Sequence, residues 1–374
     1  MARKLKVLFC SPYLHGSNIV PGGIGIWGKA VLDYYYAIND SQVELMPISF
    51  DRKRKVGEAD DYGVMRFYDG IVEISQKCME VKKAMQSYSP DVLHLCTSAS
   101  LGLLKDFLLL RLAKKRKIKT VLHLHFGRVP YLKNKKNWEW KLLLLVLKLC
   151  DSIIVMDKKT YCVLRNEDLK NVVYVPNPLS LEIIDKVKDL GGTISRKPRQ
   201  LLFVGNVLRT KGVFELVDGC VEIKDVKLRL VGKISPEIKA ELQRIAQKRG
   251  SAEWVSFKGE MSHDDVLKEL MAADVFVFPS YTEGFPNVIL EAMACGCPIA
   301  ASNVGAIPEM LNINEDACGV CFASKDTMVV RNAVTKLLES PELKESMASK
   351  AYKRVMSQYS IPMVWKLLVS VWQG

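Results

Sequence analysis

Two α/β domains, each built on a parallel sheet, are the fold this sequence predicts, and three observations lead there. Short apolar runs recur between helical patterns in two series. The runs are apolar throughout instead of alternating, which is the pattern of parallel strands covered on both faces. The length of 374 residues suits two domains of ordinary size, and 49% hydrophobic with 25% charged residues implies a large core rather than disorder. The first series opens with "LKVLFCSPY" (5–13) and continues with "DVLHLCT" (91–97), "TVLHLHF" (120–126) and "SIIVMD" (152–157). The second opens with "RQLLFVGN" (199–206) and continues through "VKLRLVG" (226–232), "EWVSFKG" (253–259), "DVFVFPS" (274–280) and "CPIAAS" (297–302). The domains are expected over 1–185 and 195–356, divided within the Gly-rich, polar stretch "KDLGGTISRKPR" (188–199). Sites on such Rossmann-like sheets lie beyond the carboxyl ends of the strands, so two sheets are expected to face an interdomain cleft.

Composition excludes several classes. No apolar run approaches the ~20 residues of a spanning helix; "LLLLVL" (142–147) stops at Lys148. The basic head "MARKLKVLFCSPY" has too short an apolar core for a signal peptide and reads as a first strand of a cytosolic protein. The ten cysteines suit a reduced chain. Cys318 and Cys321 have redox spacing but no strand–helix redox context, so they read as buried structural thiols. Cys295 and Cys297 have no histidine near, which argues against zinc, and no metal or cofactor is expected. The net charge of +13 is concentrated in 101–150, where 13 Lys/Arg face only Asp106 and Glu139. Within 112–148, Lys133, Lys135 and Lys136 interleave with Trp138 and Trp140, which suits an anionic membrane surface. Nucleic acid is not expected as a partner, because no aromatic stacking motif or zinc finger accompanies the basic patch.

The strongest chemical signal is "SYTEGFPNVILEAMACGCP" (280–298). Pro286 suits the first turn of a helix that runs to Gly296, a good stop. Amides near Pro286–Val288 would form an anion-binding helix start. Glu283 sits just before it, and Glu291 in the second turn tilts back toward it. Phosphate donors beside carboxylate acceptors for hydroxyls suit a nucleotide sugar. In "FVGNVLRTKGVFELV" (203–217) a strand ends at Gly205, and Arg209 and Lys211 could counter the charge of a departing diphosphate.

The stretch "EGFPNVILE", two glutamates framing seven residues, resembles the signature of retaining family 4 glycosyltransferases of the GT-B fold, and "AMACGCPIAASNVGAIPEML" resembles the same family's C-terminal domain. The resemblance implies that Glu283 contacts the donor sugar, that the loop of Gly284, Phe285, Pro286, Asn287 and Val288 contacts sugar and phosphate, and that Glu291 holds the ribose. It puts Gly205 at the donor site and Lys211 in the expected place, six residues after Gly205. Asn206 stands where the family has an arginine, and Arg209 is the candidate to replace it. Gly22 and Gly23 of "PGGIGIWGKAV" (21–31) fall on the family's phosphate loop, His125 on its active-site histidine, and the backbone near Met261 on the loop that receives the base. Asn177, in "VVYVPNPLS", falls at the hinge and carries no chemistry. The last helix, about 357–374, is implied to cross back onto the first domain.

The implied activity is metal-independent sugar transfer, with retention, from a nucleoside-diphosphate sugar to an acceptor hydroxyl. The basic segment suggests a lipid-linked glycan acceptor at the inner membrane face. Three rivals remain: a nucleotide-sugar epimerase, a non-catalytic nucleotide- or sugar-binding protein, and an oxidoreductase on Gly23-Ile-Gly25-Ile-Trp-Gly28. The last is the weaker, since about ten residues separate that fingerprint from its strand.

Overall fold

The computed structural model describes residues 3–13, 23–51 and 63–374, and within them every strand pairing is parallel. The chain forms two units, Met1–Pro178 with Ile361–Gly374, and Leu179–Ser360.

In the first unit six strands run β1 Leu5–Ser11, β2 Val43–Ser49, β3 Val92–Thr97, β4 Lys119–Leu124, β5 Ser152–Val155 and β6 Val172–Tyr174, in the order β2-β1-β3-β4-β5-β6. Its helices are α1 Gly23–Ile38, α2 Gly63–Ser87, α3 Gly102–Lys115, α4 Val129–Lys135, α5 Trp138–Leu147 and α6 Lys158–Arg165, joined by the terminal helix Ile361–Gln373. The central strands are buried on both faces because their side chains are apolar on both. Leu8, Leu93, Leu95 and Leu122 enter one core with Leu103, Leu110 and Leu143 from α3 and α5. On the opposite face, Phe9 and His94 stack beside Trp27 of α1, and Trp372 of the terminal helix meets His94 edge-on. Gly28 lets α1 lie against β1: a Cβ there would come within 2.4 Å of the Pro12 carbonyl oxygen.

The second unit holds β7 Gln200–Val204, β8 Lys227–Val231, β9 Val255–Gly259, β10 Val275–Phe278, β11 Ile299–Ser302 and β12 Val320–Phe322, in the order β12-β11-β10-β7-β8-β9. Its helices are α7 Leu181–Leu190, α8 Val213–Cys220, α9 Pro236–Ala246, α10 His263–Ala272, α11 Asn287–Ala294, α12 Ile307–Met310, α13 Thr327–Leu338 and α14 Pro341–Arg354; the terminal helix is α15. The strand order reverses between β7 and β10, so the loops leaving those two strands flank the crevice where doubly wound sheets bind ligands.

Three sequence expectations change. The units divide between Pro178 and Leu179, so α7 goes with the second unit, where it packs on α10 and α11, instead of ending a first domain at 185. Pro286 is the N-cap residue of α11, not part of its first turn; its extended ψ of 116° sets the entry angle, and helical geometry begins at Asn287. Trp140 and Leu143 are buried in the core, so along α5 only Trp138, Lys141, Leu145 and Lys148 face out from the stretch read as a membrane anchor. Among the described residues no helix is long and apolar enough to cross a membrane, and all ten cysteines are free.

Candidate functional site

The site grows from two loops at the strand-order reversal of the second sheet. After β7, a short 3-10 turn (Arg209–Lys211) leads to Gly212, whose φ of +68° and close approach to Pro279 only glycine permits; a Cβ would lie 2.1 Å from the Pro279 carbonyl oxygen. This close approach brings the loop after β7 against the loop after β10. The Tyr281 N–H donates to the Thr210 carbonyl at 2.9 Å, and the Tyr281 hydroxyl donates to Glu215 Oε1 at 2.5 Å. Burial, and then that bond to Glu215, push the Tyr281 phenol up to about 12. The outcome is the central contact of the site: Lys211 Nζ donates to Glu283 Oε1 at 2.6 Å, with the Glu283 side chain only 12% exposed.

A third loop supports Glu283 from behind. Ser302 Oγ donates to the Ser280 carbonyl at 2.6 Å, and the Ala306 N–H to the Gly284 carbonyl at 2.9 Å. Gly305, at φ +56°, presses so close that a Cβ would sit 2.4 Å from the Glu283 carbonyl oxygen and 2.6 Å from that of Gly284. From this support the chain runs through Phe285 and Pro286, both buried, into α11. No side chain caps the start of α11, so its first amides and dipole face the same loop as Glu283. Glu291, on the second turn, is largely buried, and its Oε1 lies 3.3 Å from His263 Nε2. His263 opens α10, capped by Ser262 Oγ, which accepts from the Asp265 N–H at 3.2 Å. The bond to Glu291 raises the His263 pKa despite partial burial. Met261 precedes this turn by two residues, which puts it on the same loop.

Glu283, Lys211, Gly284 to Val288 and Glu291 are therefore gathered around the loops of one sheet, with Met261 beside them. Gly205 directly follows β7 at φ +145°, its carbonyl pressed against Gly232. Arg209 is not brought to Glu283. Its guanidinium pairs with Glu241 of α9 at 2.7 Å and stacks on Phe214 at 3.8 Å, because α9 presents the nearer carboxylate.

On the first unit, Gly22 lies outside the described residues. Gly23 opens α1, and a Cβ there would meet nothing within 4 Å, so packing does not demand glycine. Gly23 to Gly28 run inside α1, so the letters of the dinucleotide fingerprint do not form a strand-to-helix phosphate turn. His125 follows β4, and its Nε2 is buried without a partner among the described residues. Burial, and then His94, push its pKa down to about 3, so the imidazole is neutral near pH 7. Donor atoms of His94, Cys96 and His123 lie within 4.8 Å of one another. Trp372 Nε1–H donates to His94 Nδ1 at 2.9 Å, which leaves the neutral imidazole's proton on Nε2. Arranged so, His94 offers no free lone pair to a metal.

Two family models match the chain: glycosyltransferase family 4 over residues 54–183, and glycosyl transferases group 1 over residues 191–354. The chain belongs to the family 4 glycosyltransferases. Alpha-maltose-1-phosphate synthase of Mycolicibacterium smegmatis is 32% identical over 170 residues, 42% of this glycosyltransferase-family chain and 43% of that protein. The capsular polysaccharide biosynthesis glycosyltransferase CapM of Staphylococcus aureus is 27% identical over 175 residues, 46% and 44% of the two chains. The matched stretch thus spans less than half the length of these relatives. Among solved structures, Anabaena HepE in complex with UDP is 16% identical and superposes over 98% of this chain and 99% of that one with a TM-score of 0.69. The architecture is the GT-B fold.

His263 and Gly305 are members of this cluster that the sequence left unassigned. Gly305 carried a local signal, a glycine in the β-to-α loop "SNVGAIP". His263 carried none, because its contact depends on where α10 meets α11.

Proposed function

We propose that this chain transfers a sugar, with retention of anomeric configuration, from a nucleoside-diphosphate sugar to an acceptor hydroxyl. The observation that carries the reading is the Lys211–Glu283 pair beside the start of α11, at the strand-order reversal of the second sheet. Glu283 would accept hydroxyls of the donor sugar, and the loop from Gly284 to Val288, through its backbone N–H groups other than at Pro286, would receive sugar and phosphate. Glu291 would accept from the ribose, and the backbone at Met261 would meet the base. Lys211 and the helix start would neutralise the departing diphosphate. That is a role a metal need not fill. No covalent intermediate is required, since catalysis would rest on holding donor and acceptor in reacting geometry. On the first unit, a neutral His125 with its Nε2 unpartnered suits hydrogen bonding to a sugar hydroxyl. HepE was solved with UDP, which makes UDP the first donor nucleotide to try.

A screen of UDP, GDP, ADP and their sugars by thermal shift tests the reading. A ligand at 100 times its Kd stabilises by about 2.7 kcal/mol, worth about 5–10 °C for a unit of this size. Transfer to an acceptor with retention then separates a transferase from an epimerase, which would isomerise the donor alone. Absence of any stabilising nucleotide contradicts the proposal.

The acceptor we propose is a lipid-linked glycan at the inner face of the membrane, as CapM's role in capsular polysaccharide assembly suggests by analogy. Support comes from Leu101, Leu104 and Leu108, exposed along one stripe of α3, and from exposed Tyr131 and Trp138 beside Lys135, Lys136 and Lys141. Several other basic residues are already engaged: Lys114 with Asp151, Arg128 with Glu139, Lys133 with Glu167. Sedimentation with anionic liposomes at low salt should capture the protein, and Trp138→Ser with Lys141→Gln should release it. Equal recovery with neutral liposomes argues against this acceptor class.

A further inference from the structure

Glu291 needs more than burial to act on a ligand. A carboxylate side chain on a helix has three rotatable bonds, and its two oxygens must be aimed. In this structure one oxygen is already committed, because His263 Nε2 lies 3.3 Å from Oε1. To donate, Nε2 must carry a proton, as in the imidazolium or the Nε2–H tautomer. With Oε1 held, Oε2 remains to accept a hydroxyl.

The arrangement around the ring is itself built. His263 stands at the first position of α10, where Ser262 caps the helix and fixes the ring's origin. Lys186 of α7 bonds Glu182 at 2.7 Å and Asp264 at 2.5 Å, tying α7 to the start of α10. The charged groups that act on the ring are Glu291 from α11, Glu182 and Lys186 from α7, and Asp264 on its own helix. Lys186 is spent on Glu182 and Asp264, so Glu291 is the carboxylate left to the imidazole.

We infer that His263 is a positioning residue that holds Glu291 Oε1 so that Oε2 is presented to the ribose of a nucleoside diphosphate. This rests on the proposed nucleotide-sugar reading of the site and adds a residue to it. Charge-assisted hydrogen bonds are roughly twice as strong as neutral ones, so the hold on Glu291 weakens as pH rises through the raised His263 pKa and the imidazolium is lost. The neutral Nε2–H form keeps a weaker bond.

The test is isothermal titration of the full chain with whichever of UDP, GDP and ADP stabilises the wild type. Wild-type Kd should rise about two- to threefold from pH 6 to pH 8.5. His263→Ala should raise Kd at pH 6 by about five- to tenfold and flatten the pH dependence. His263→Gln, whose longer amide can bring a neutral N–H donor to where Nε2 stands, should recover most of the affinity with the same flat profile. His263 is half-exposed at a helix start, so both variants should melt near the wild type. Glu291→Ala should weaken binding more, and adding His263→Ala to it should cost nothing further, because the histidine acts only through that carboxylate. If Glu291→Ala weakens binding while His263→Ala does not, or the two losses simply add, the positioning role is overturned and the site reading stands. If Glu291→Ala binds like the wild type, both fall.

Discussion

Replacing Gly305 by alanine probes how the fold holds the site. At φ +56° a non-glycine residue costs about 1–2 kcal/mol from backbone sterics alone. The added Cβ would also lie 2.4 Å from the Glu283 carbonyl oxygen, where ordinary contact begins near 3.4 Å. The loop carrying Glu283 and Gly284 must therefore withdraw by about 1 Å, straining the Ala306-to-Gly284 hydrogen bond at a further cost of about 1–2 kcal/mol. Gly296 supplies the control: it has φ +60°, and a Cβ there would meet nothing within 4 Å, so Gly296→Ala pays only the backbone term. For a domain of this size each kcal/mol lowers Tm by about 2–4 °C. Calorimetry should show Gly296→Ala melting about 2–8 °C lower with nucleotide affinity unchanged. Gly305→Ala should melt about 4–16 °C lower and bind the nucleotide sugar about tenfold more weakly or worse, since a 1 Å misplacement can cost up to about a hundredfold. If Gly305→Ala is no worse than Gly296→Ala in both measurements, the claim that this loop positions Glu283 is wrong.

Lys211→Met should reduce kcat by about 10²–10³ with a small change in donor KM, as expected for a charge needed at the departing diphosphate; kcat within threefold of wild type would rule that role out. Arg209→Ala should leave kcat within a few-fold, because its guanidinium serves an exposed pair with Glu241; exposed pairs contribute less than about 1 kcal/mol. The buried, neutral histidines of the first unit set a pH dependence. Burial holds His94 down to about 3 and His123 well below its ordinary value, so below pH 6.5 the unfolded chain binds protons the folded one refuses, and stability falls with pH. At pH 5 that loss is about 2 kcal/mol for each of these two residues. Urea midpoints followed by tryptophan fluorescence, dominated by Trp27, Trp138, Trp140, Trp365 and Trp372, should drop between pH 7 and pH 5; a flat midpoint contradicts the neutral assignment. His263 acts with the opposite sign: its pKa is raised, so its contribution is present below its unfolded pKa and is lost as pH rises through the folded one.

The interior of both sheets is legible in the sequence because central parallel strands must be apolar on both faces; "VLHLC" and "VFVF" leave little choice. The edges are not. β2 carries Glu44 and Pro47 and is tolerated only as an outermost strand, and β12 is three residues long. The glutamate pair is legible for a similar reason: strand, loop and helix start are contiguous, so spacing alone puts Glu283 and Glu291 at one helix end. What depends on a distant element is hidden. The sequence names no partner for Arg209 until α9 supplies Glu241, and none for His263 until α10 lies beside α11. Trp140 could have been placed: it shares a helical face with Leu143 and Leu147, while Trp138 lies with Lys141 and Leu145.

Binding of two ligands to two variants tests the central claim most directly, that Glu283, Glu291 and the start of α11 converge on one donor. Glu291→Ala should weaken a nucleoside diphosphate and its sugar conjugate alike. Glu283→Ala should weaken the conjugate by about tenfold or more and spare the diphosphate, since only the sugar reaches that carboxylate. Wild-type affinity of both variants for both ligands would contradict the account.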